Sequence, residues 1–216
     1  MRIQTPKGKR LTQLVPGLVL FGVAIAFTVA ADLGTNPWTV FAQGLSERTG
    51  ASVGTLVMLI GLTILVGFGP LGEPLGLGTL LNVLVIGPVI DLVLHVLGDD
   101  HSMPVRILLL AVAPPLLGLA SGLYLGAGLG PGPRDGLMTA WARRGASISR
   151  ARTVIELGVL AVGWILGGVV GIGTLYFGLT VGYWVRVFLS RLQIDRPGPR
   201  PQRPNTIAAA PSGGQR

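Results

Sequence analysis

The most specific candidate for chemistry in this sequence is a charged pair, Arg134 and Asp135, directly after a run of glycine and proline. A similar segment 96 residues earlier carries Trp38 and Thr39 instead. Charged groups at only one of two matching positions are what a binding site on a symmetric framework would show. The alternative is that Arg134 fixes membrane orientation and that Asp135 is satisfied locally at the start of a helix.

Both segments predict the start of a short helix. Each is a glycine break followed by proline, which suits the first helical turn, and Asn36 is a good cap in the first copy. We expect short helices at 36–49 and 132–145, either re-entering the membrane or lying flat on its surface. If they re-enter, their N-termini could hold an anionic group, and the candidate substrate-binding residues are Asn36, Pro37, Trp38, Pro133, Arg134 and Asp135.

Four further ionisable residues fall inside apolar segments, where charge is costly and functional roles are common: Asp91, His95, Glu156 and Arg186. Each also has a structural alternative. Asp91 and His95 are one turn apart and could pair, Glu156 could pair with Arg152, and Arg186 could extend into the cytoplasmic headgroups.

The sequence lacks the residue patterns of an enzyme. With two histidines, no cysteine and no HExxH, it predicts no metal site, catalytic residue or cofactor. Gly67-Phe-Gly-Pro-Leu-Gly72 satisfies GxGxxG but lies at a helix end without the strand that a dinucleotide site needs. We therefore expect no enzymatic activity.

The composition indicates the environment in which these residues lie. Half of the residues are hydrophobic, only 12% are charged and the mean hydropathy is +0.65. These values indicate an all-α, polytopic membrane protein. Six segments are apolar enough to span as helices, near 13–31, 52–70, 77–97, 105–127, 152–168 and 172–190.

An internal repeat organises the six segments. Residues 20–97 realign on 116–192 with an offset of 96 that falls to 95 near Thr49. Each repeat holds three predicted crossings, and an odd number forces the second copy to enter the bilayer from the opposite side. The repeats are therefore predicted to be inverted. Matching pairs include Gly22 with Gly118, Pro37 with Pro133, Gly78 with Gly173 and Thr79 with Thr174.

The charges predict the orientation. Fifteen of the seventeen basic residues lie in the N-terminus, the loop between spans four and five, and the tail. Both termini should therefore be cytoplasmic in a bacterial inner membrane. The net charge of +8 lacks the interleaved aromatic residues of a nucleic-acid groove, so the predicted partners are the bilayer and a small solute. The sequence also allows a homodimer or a complex with a partner membrane protein.

These expectations divide the chain into five parts. They are a basic cytoplasmic N-terminus (1–12), the first repeat (13–97), an extracytoplasmic loop (98–104), the second repeat (105–192) and a disordered cytoplasmic tail (193–216) rich in Pro, Arg and Gln.

Three segments resemble a known family. Leu33-Gly-Thr-Asn-Pro-Trp38, Gly78-Thr-Leu-Leu-Asn82 with Ile86-Gly-Pro-Val-Ile-Asp91, and Gly128-Leu-Gly-Pro-Gly-Pro-Arg-Asp-Gly136 are similar to the YczE-like bacterial membrane proteins, within the YczE/YyaS/YitT grouping. The likeness covers about 13–192. It implies a polytopic inner-membrane protein of about six helices and carries no catalytic residue to this chain.

The sequence favours a secondary transporter or permease of a small solute, because inverted repeats, broken segments and a charged pair are typical of that class. The main alternative is a non-transporting accessory or scaffold protein for a partner complex. An intramembrane enzyme ranks third, since candidate nucleophiles are scarce.

Overall fold

The chain is all-helical in the part that the structure describes. A computed structural model describes residues 7–71, 76–130, 132–142, 145 and 147–194. Within these residues there are no strands, and the helices are α1 (Lys7–Ala31), α2 (Pro37–Thr49), α3 (Val53–Leu71), α4 (Leu77–Leu97), α5 (Met103–Gly126), α6 (Pro133–Ala142), α7 (Ile148–Ile165) and α8 (Ile172–Leu192).

Four of these helices are long and apolar enough to cross a membrane by themselves. They are α1 from Gly8, α4, α5 and α8, among the described residues. Helices α2 and α3 meet at a bend of 114° and count together as a fifth candidate. All six predicted segments are helical, and the all-α membrane class is confirmed with four or five candidate spans.

The helix bounds differ from the expected boundaries at the N-terminus. Helix α1 begins at Lys7 and so includes residues 7–12, which the sequence assigned to a separate N-terminal segment. Lys, Arg, Gln and Leu are good helix formers, so the helix continues beyond its apolar part. Helix α5 likewise begins at Met103, inside the expected 98–104 loop. The predicted tail beyond residue 194 lies outside the described residues.

Helices α1 and α5 pack against each other at the centre, and each carries one outer helix. Helix α4 packs on α1 where Gly22 faces Val89, and α8 packs on α5 where Gly118 faces Trp184. A Cβ on either glycine would lie within 2.7 Å of the facing residue, so the glycines allow this close approach. Both contacts join residues at matching repeat positions.

The loops after α1 and α5 reach across to the other half of the chain. The carbonyl of Leu33 accepts a hydrogen bond from Gly173 N at 2.8 Å, at the start of α8. The carbonyl of Leu129 accepts the matching bond from Gly78 N at 2.8 Å, at the start of α4. Each loop is therefore fixed to the last helix of the opposite half.

Helices α2 and α6 are packed on the opposite halves in the same way. Helix α2 packs on α7 and α6 packs on α3. Val40 of α2 lies against Gly163, and Gly136 of α6 lies against the ring of Phe68. In the first contact the short helix supplies the larger residue, and in the second it supplies the glycine. Trp38 and Val40 are buried, and this burial argues against α2 lying flat on a membrane surface.

Hydrogen bonds at the two ends of the bundle show how the long helices run. At one end the Gln13 amide donates to the carbonyl of Leu192 at 2.8 Å, and Arg10 donates to that of Ala127 at 3.2 Å. At the opposite end Arg106 donates to the carbonyl of Ala31 at 2.7 Å and pairs with Asp32. Helix α1 therefore runs antiparallel to both α5 and α8.

Candidate functional site

A cavity of about 660 Å³ lies where the starts of the two short helices meet. Residues from all eight described helices line it. Its lining includes all six residues that the sequence predicted for substrate binding: Asn36, Pro37, Trp38, Pro133, Arg134 and Asp135. The structure thus brings the two proline breaks together, although they are far apart in sequence.

The start of α2 is held by a capped turn. The side-chain oxygen of Asn36 accepts a hydrogen bond from Thr39 N at 3.1 Å, and its amide donates to the Thr39 hydroxyl at 2.8 Å. Pro37 occupies the first helical turn, as expected. The Thr28 and Thr35 hydroxyls, 2.6 Å apart, fix the preceding loop to α1. This turn positions Trp38 at the cavity.

The start of α6 is open by comparison. Pro133 begins the helix, and Gly132 before it has no side chain that could cap the first turn. In the described part of the chain the amides of Arg134 and Asp135 have no hydrogen-bond acceptor. Free amides at a helix start carry partial positive charge.

A contact between Arg134 and Trp38 joins the two helix starts. The guanidinium carbon of Arg134 lies 5.3 Å from the centroid of the Trp38 ring. Such cation–π contacts contribute about 0.5–2 kcal/mol, depending on desolvation. The contact places the Arg134 side chain, at the start of α6, over an aromatic face at the start of α2.

Two residues of the cavity lining carry a buried donor that has no acceptor among the described residues. The donors are Nε1 of Trp38 and the hydroxyl of Tyr124, whose residues are 7% and 3% exposed. The Tyr124 hydroxyl lies against Gly132, directly before α6. Buried polar groups normally have hydrogen-bond partners, so a small movement that opened these two atoms to the cavity would let a polar ligand satisfy them.

The other predicted ionisable residues separate into two groups. Glu156 and Arg186 line the cavity, and Glu156 accepts a hydrogen bond from Arg152 at 3.0 Å, which confirms that predicted pair. Arg186 is exposed and borders the cavity. Asp91 and His95 lie outside it.

The predicted pairing of Asp91 with His95 is wrong. The Asp91 carboxylate accepts hydrogen bonds from the Ser52 hydroxyl at 2.6 Å and from the amides of Gly54 and Thr55 at 2.7 and 3.1 Å. The carboxylate therefore caps the start of α3. The free amides at this helix start attract it more strongly than the exposed imidazole of His95 does. His95 is exposed on α4.

A second cavity of about 450 Å³ lies at the opposite end of α2. Gln43 and Glu47 line it, together with Asp32, Arg106 and residues 98–101. Helix α2 therefore has its first turn at one cavity and its last turns at the other. Thr39, Val40 and Ala42, between these parts of the helix, are fully buried.

Comparison with known proteins identifies the family. Residues 8–190 match the family described as "Family of unknown function (DUF6198)". The chain belongs to the DUF6198 family. An uncharacterized protein of Haemophilus influenzae is 35% identical over 187 residues, which cover 86% of each chain.

Two relatives of this DUF6198 protein come from Bacillus subtilis. The uncharacterized membrane protein YczE is 32% identical over 184 residues, covering 83% of this chain and 85% of that one. The uncharacterized protein YyaS is 28% identical over 181 residues, covering 80% and 89%. The predicted YczE-like relationship is confirmed, and this DUF6198 chain is a membrane protein. No solved structure matches it.

Several polar residues of the DUF6198 cavity were not among the predicted site residues. They are Asn82, Ser121, Tyr124 and Arg152. A signal was present for Asn82 and Tyr124, since each is a polar group within an apolar helix. Tyr124 also matches Thr28 in the repeat, the residue that fixes the first loop.

Proposed function

We propose that this protein is a secondary transporter of a small solute, and that the solute binds in the cavity between the starts of α2 and α6. The proposal includes six membrane spans arranged as two inverted repeats, with both termini in the cytoplasm of a bacterial cell. It also places the predicted candidate residues at the binding site.

The paired contacts of the two halves support the inverted repeat. Gly22 with Val89 matches Gly118 with Trp184, and the bond from Gly173 to Leu33 matches that from Gly78 to Leu129. Helices α1 and α5, which begin the two halves, run antiparallel. A two-fold axis in the membrane plane would relate such halves, as in many secondary transporters.

The observation that carries the proposal is the cavity between two broken segments, with a second cavity beyond α2. Transporters bind solutes near the midplane at the starts of discontinuous helices. The buried middle of α2, from Thr39 to Ala42, separates the two cavities. Movement of α2 would close access from one side and open it from the other.

The distribution of basic residues supports the orientation. The larger cavity reaches Arg152 and Arg186, near the same bundle end as Arg10. Short cytoplasmic loops collect Lys and Arg, so this end faces the cytoplasm. The described conformation is then open toward the cytoplasm.

A solute screen tests the proposal. Thermal stability of the purified protein is measured across a library of solutes, for the wild type and for Asp135→Asn, because a ligand that binds the folded state raises stability. A solute that stabilises only the wild type should also accumulate in liposomes that contain it. Solutes that bind but never cross the liposome membrane would contradict transport and favour the accessory-protein alternative.

A further inference from the structure

We propose that the solute is a small organic anion, held by Arg134, the indole N–H of Trp38 and the open start of α6. This inference rests on the proposed function and names the substrate class for the same cavity. The observations that support it concern the donors, the charges, and the shape of the cavity.

The unpartnered donors determine what kind of group fits beside them. An indole offers only a donor, so the group that satisfies Trp38 Nε1 must be an acceptor. Tyr124 adds a buried hydroxyl beside the Gly132 backbone, and this hydroxyl has no acceptor for its hydrogen in the described chain. A buried donor without an acceptor is costly, and a bound oxyanion would remove that cost at Trp38.

Arg134 and the start of α6 supply positive charge at the same place. The guanidinium lies over the Trp38 ring and forms no salt bridge with a described residue. The amides of Arg134 and Asp135 are also without acceptors in the described chain. Arginine and free helix-start amides both bind oxyanions well.

The charges around the cavity leave an excess of one positive charge. Three arginines line it against two carboxylates: Arg134, Arg152 and Arg186 against Asp135 and Glu156. Arg152 and Glu156 already pair with each other. Arg152 and Arg186 are exposed and can be solvated, so the excess positive charge attracts an anion to the cavity without requiring one for charge balance.

The rest of the cavity favours an organic ligand over an inorganic ion. Its walls include apolar side chains from several helices: Ile25, Val57, Ile86, Leu117 and Phe177. A volume of about 660 Å³ lies within the range of about 300–1,000 Å³ typical of sites for small organic molecules. The apolar body of the ligand would pack on these walls.

Matched pairs of acids and amides test the proposal, because each pair differs in charge and little else. The pairs are benzoate with benzamide, phenylacetate with phenylacetamide, and octanoate with octanamide. Binding to the full chain is measured at neutral pH in phosphatidylcholine nanodiscs. Arg134→Gln and Arg134→Lys are compared with Arg191→Gln, which removes a charge from an exposed residue outside the cavity lining.

We expect at least one acid to bind about tenfold more tightly than its amide, since a hydrogen bond to a charged group contributes about 1.5–3 kcal/mol. Arg134→Gln should abolish this preference, Arg134→Lys should retain part of it, and Arg191→Gln should leave it unchanged. Equal binding of acids and amides, or an unchanged preference in Arg134→Gln, would overturn the proposal. The proposal would also be overturned if phosphatidylglycerol nanodiscs stabilised the protein and none of the acids did. The site would then hold a lipid headgroup.

Failure of this inference is distinguishable from failure of the transporter proposal. An acid that binds through Arg134 but does not enter liposomes contradicts transport and leaves anion binding intact. A neutral or cationic solute that accumulates in liposomes supports transport and contradicts the anion class.

Discussion

The indole of Trp38 is 7% exposed, yet its Nε1–H has no acceptor among the described residues. Trp38→Phe keeps an aromatic face for Arg134 and removes only this donor and part of the ring. We expect the variant to lose little stability, since relief of an unsatisfied buried donor, worth about 1–3 kcal/mol, offsets the packing lost with the smaller ring. Its affinity for an organic acid should fall about tenfold, measured as in the acid–amide experiment.

Trp164→Phe is the matched control for that prediction, because Trp164 is 65% exposed and outside the cavity lining. Unchanged acid affinity in Trp38→Phe would remove the indole from the binding site. A loss of stability beyond the cost of the smaller ring would indicate that the indole N–H is satisfied in the folded protein.

Asp91 gives a second prediction for a single residue, and this one concerns folding. Its carboxylate accepts three hydrogen bonds at 2.6–3.1 Å from Ser52, Gly54 and Thr55. Asp91→Asn replaces one acceptor oxygen by a donor, which then faces another donor. We expect the free energy of unfolding to fall by about 1–3 kcal/mol, while acid binding is retained.

Denaturation in detergent measures this loss, with Asp99→Asn as the control at an exposed position. Normal stability of Asp91→Asn together with loss of solute binding would assign Asp91 a role in the site instead of the helix cap.

At the scale of helices, the fold depends on small residues at specific crossings. A Cβ on Gly118 would lie 2.4 Å from Cβ of Trp184 and 2.7 Å from its backbone carbon, whereas a Cβ on Gly158 of α7 would have no atom within 4 Å. Gly118→Ala should destabilise the protein by about 1–3 kcal/mol through overpacking. Gly158→Ala should be neutral or stabilising by up to about 1 kcal/mol through helix propensity.

Thermal unfolding of the two alanine variants, side by side, checks this prediction. If Gly118→Ala were as stable as Gly158→Ala, α5 and α8 could not be packed as closely as the structure shows. The same comparison applies to Gly22, which occupies the matching crossing of α1 and α4.

The short helices show how far local sequence signals reach. Asn36 and Pro37 predicted the start of α2, and Pro133 predicted that of α6, because caps and first-turn prolines act within one turn. The cap on α3 was missed, since its acceptor Asp91 lies 36–39 positions away in sequence. No local pattern encodes a contact at that separation.

At the scale of the whole molecule, the sequence predicted the helical membrane class and helices in all six apolar segments. The repeat also indicated which glycines would occupy matching contacts, such as Gly22 and Gly118. Composition does not identify α7 as a span in the described chain, because Arg150, Arg152 and Glu156 lower its apolar character. The cavity could not be predicted as a unit, since every described helix contributes to it.

The central claim is that the cavity between the starts of α2 and α6 is open to each side of the membrane in turn, and single-cysteine labelling tests it most directly. Ser121→Cys places a thiol on the cavity wall of a chain that contains no cysteine, and Ala26→Cys provides a buried control outside the lining. We predict that a membrane-impermeant maleimide labels position 121 from either face, at rates that a bound solute shifts in opposite directions. Labelling from one face only, whatever solute is present, would contradict the account.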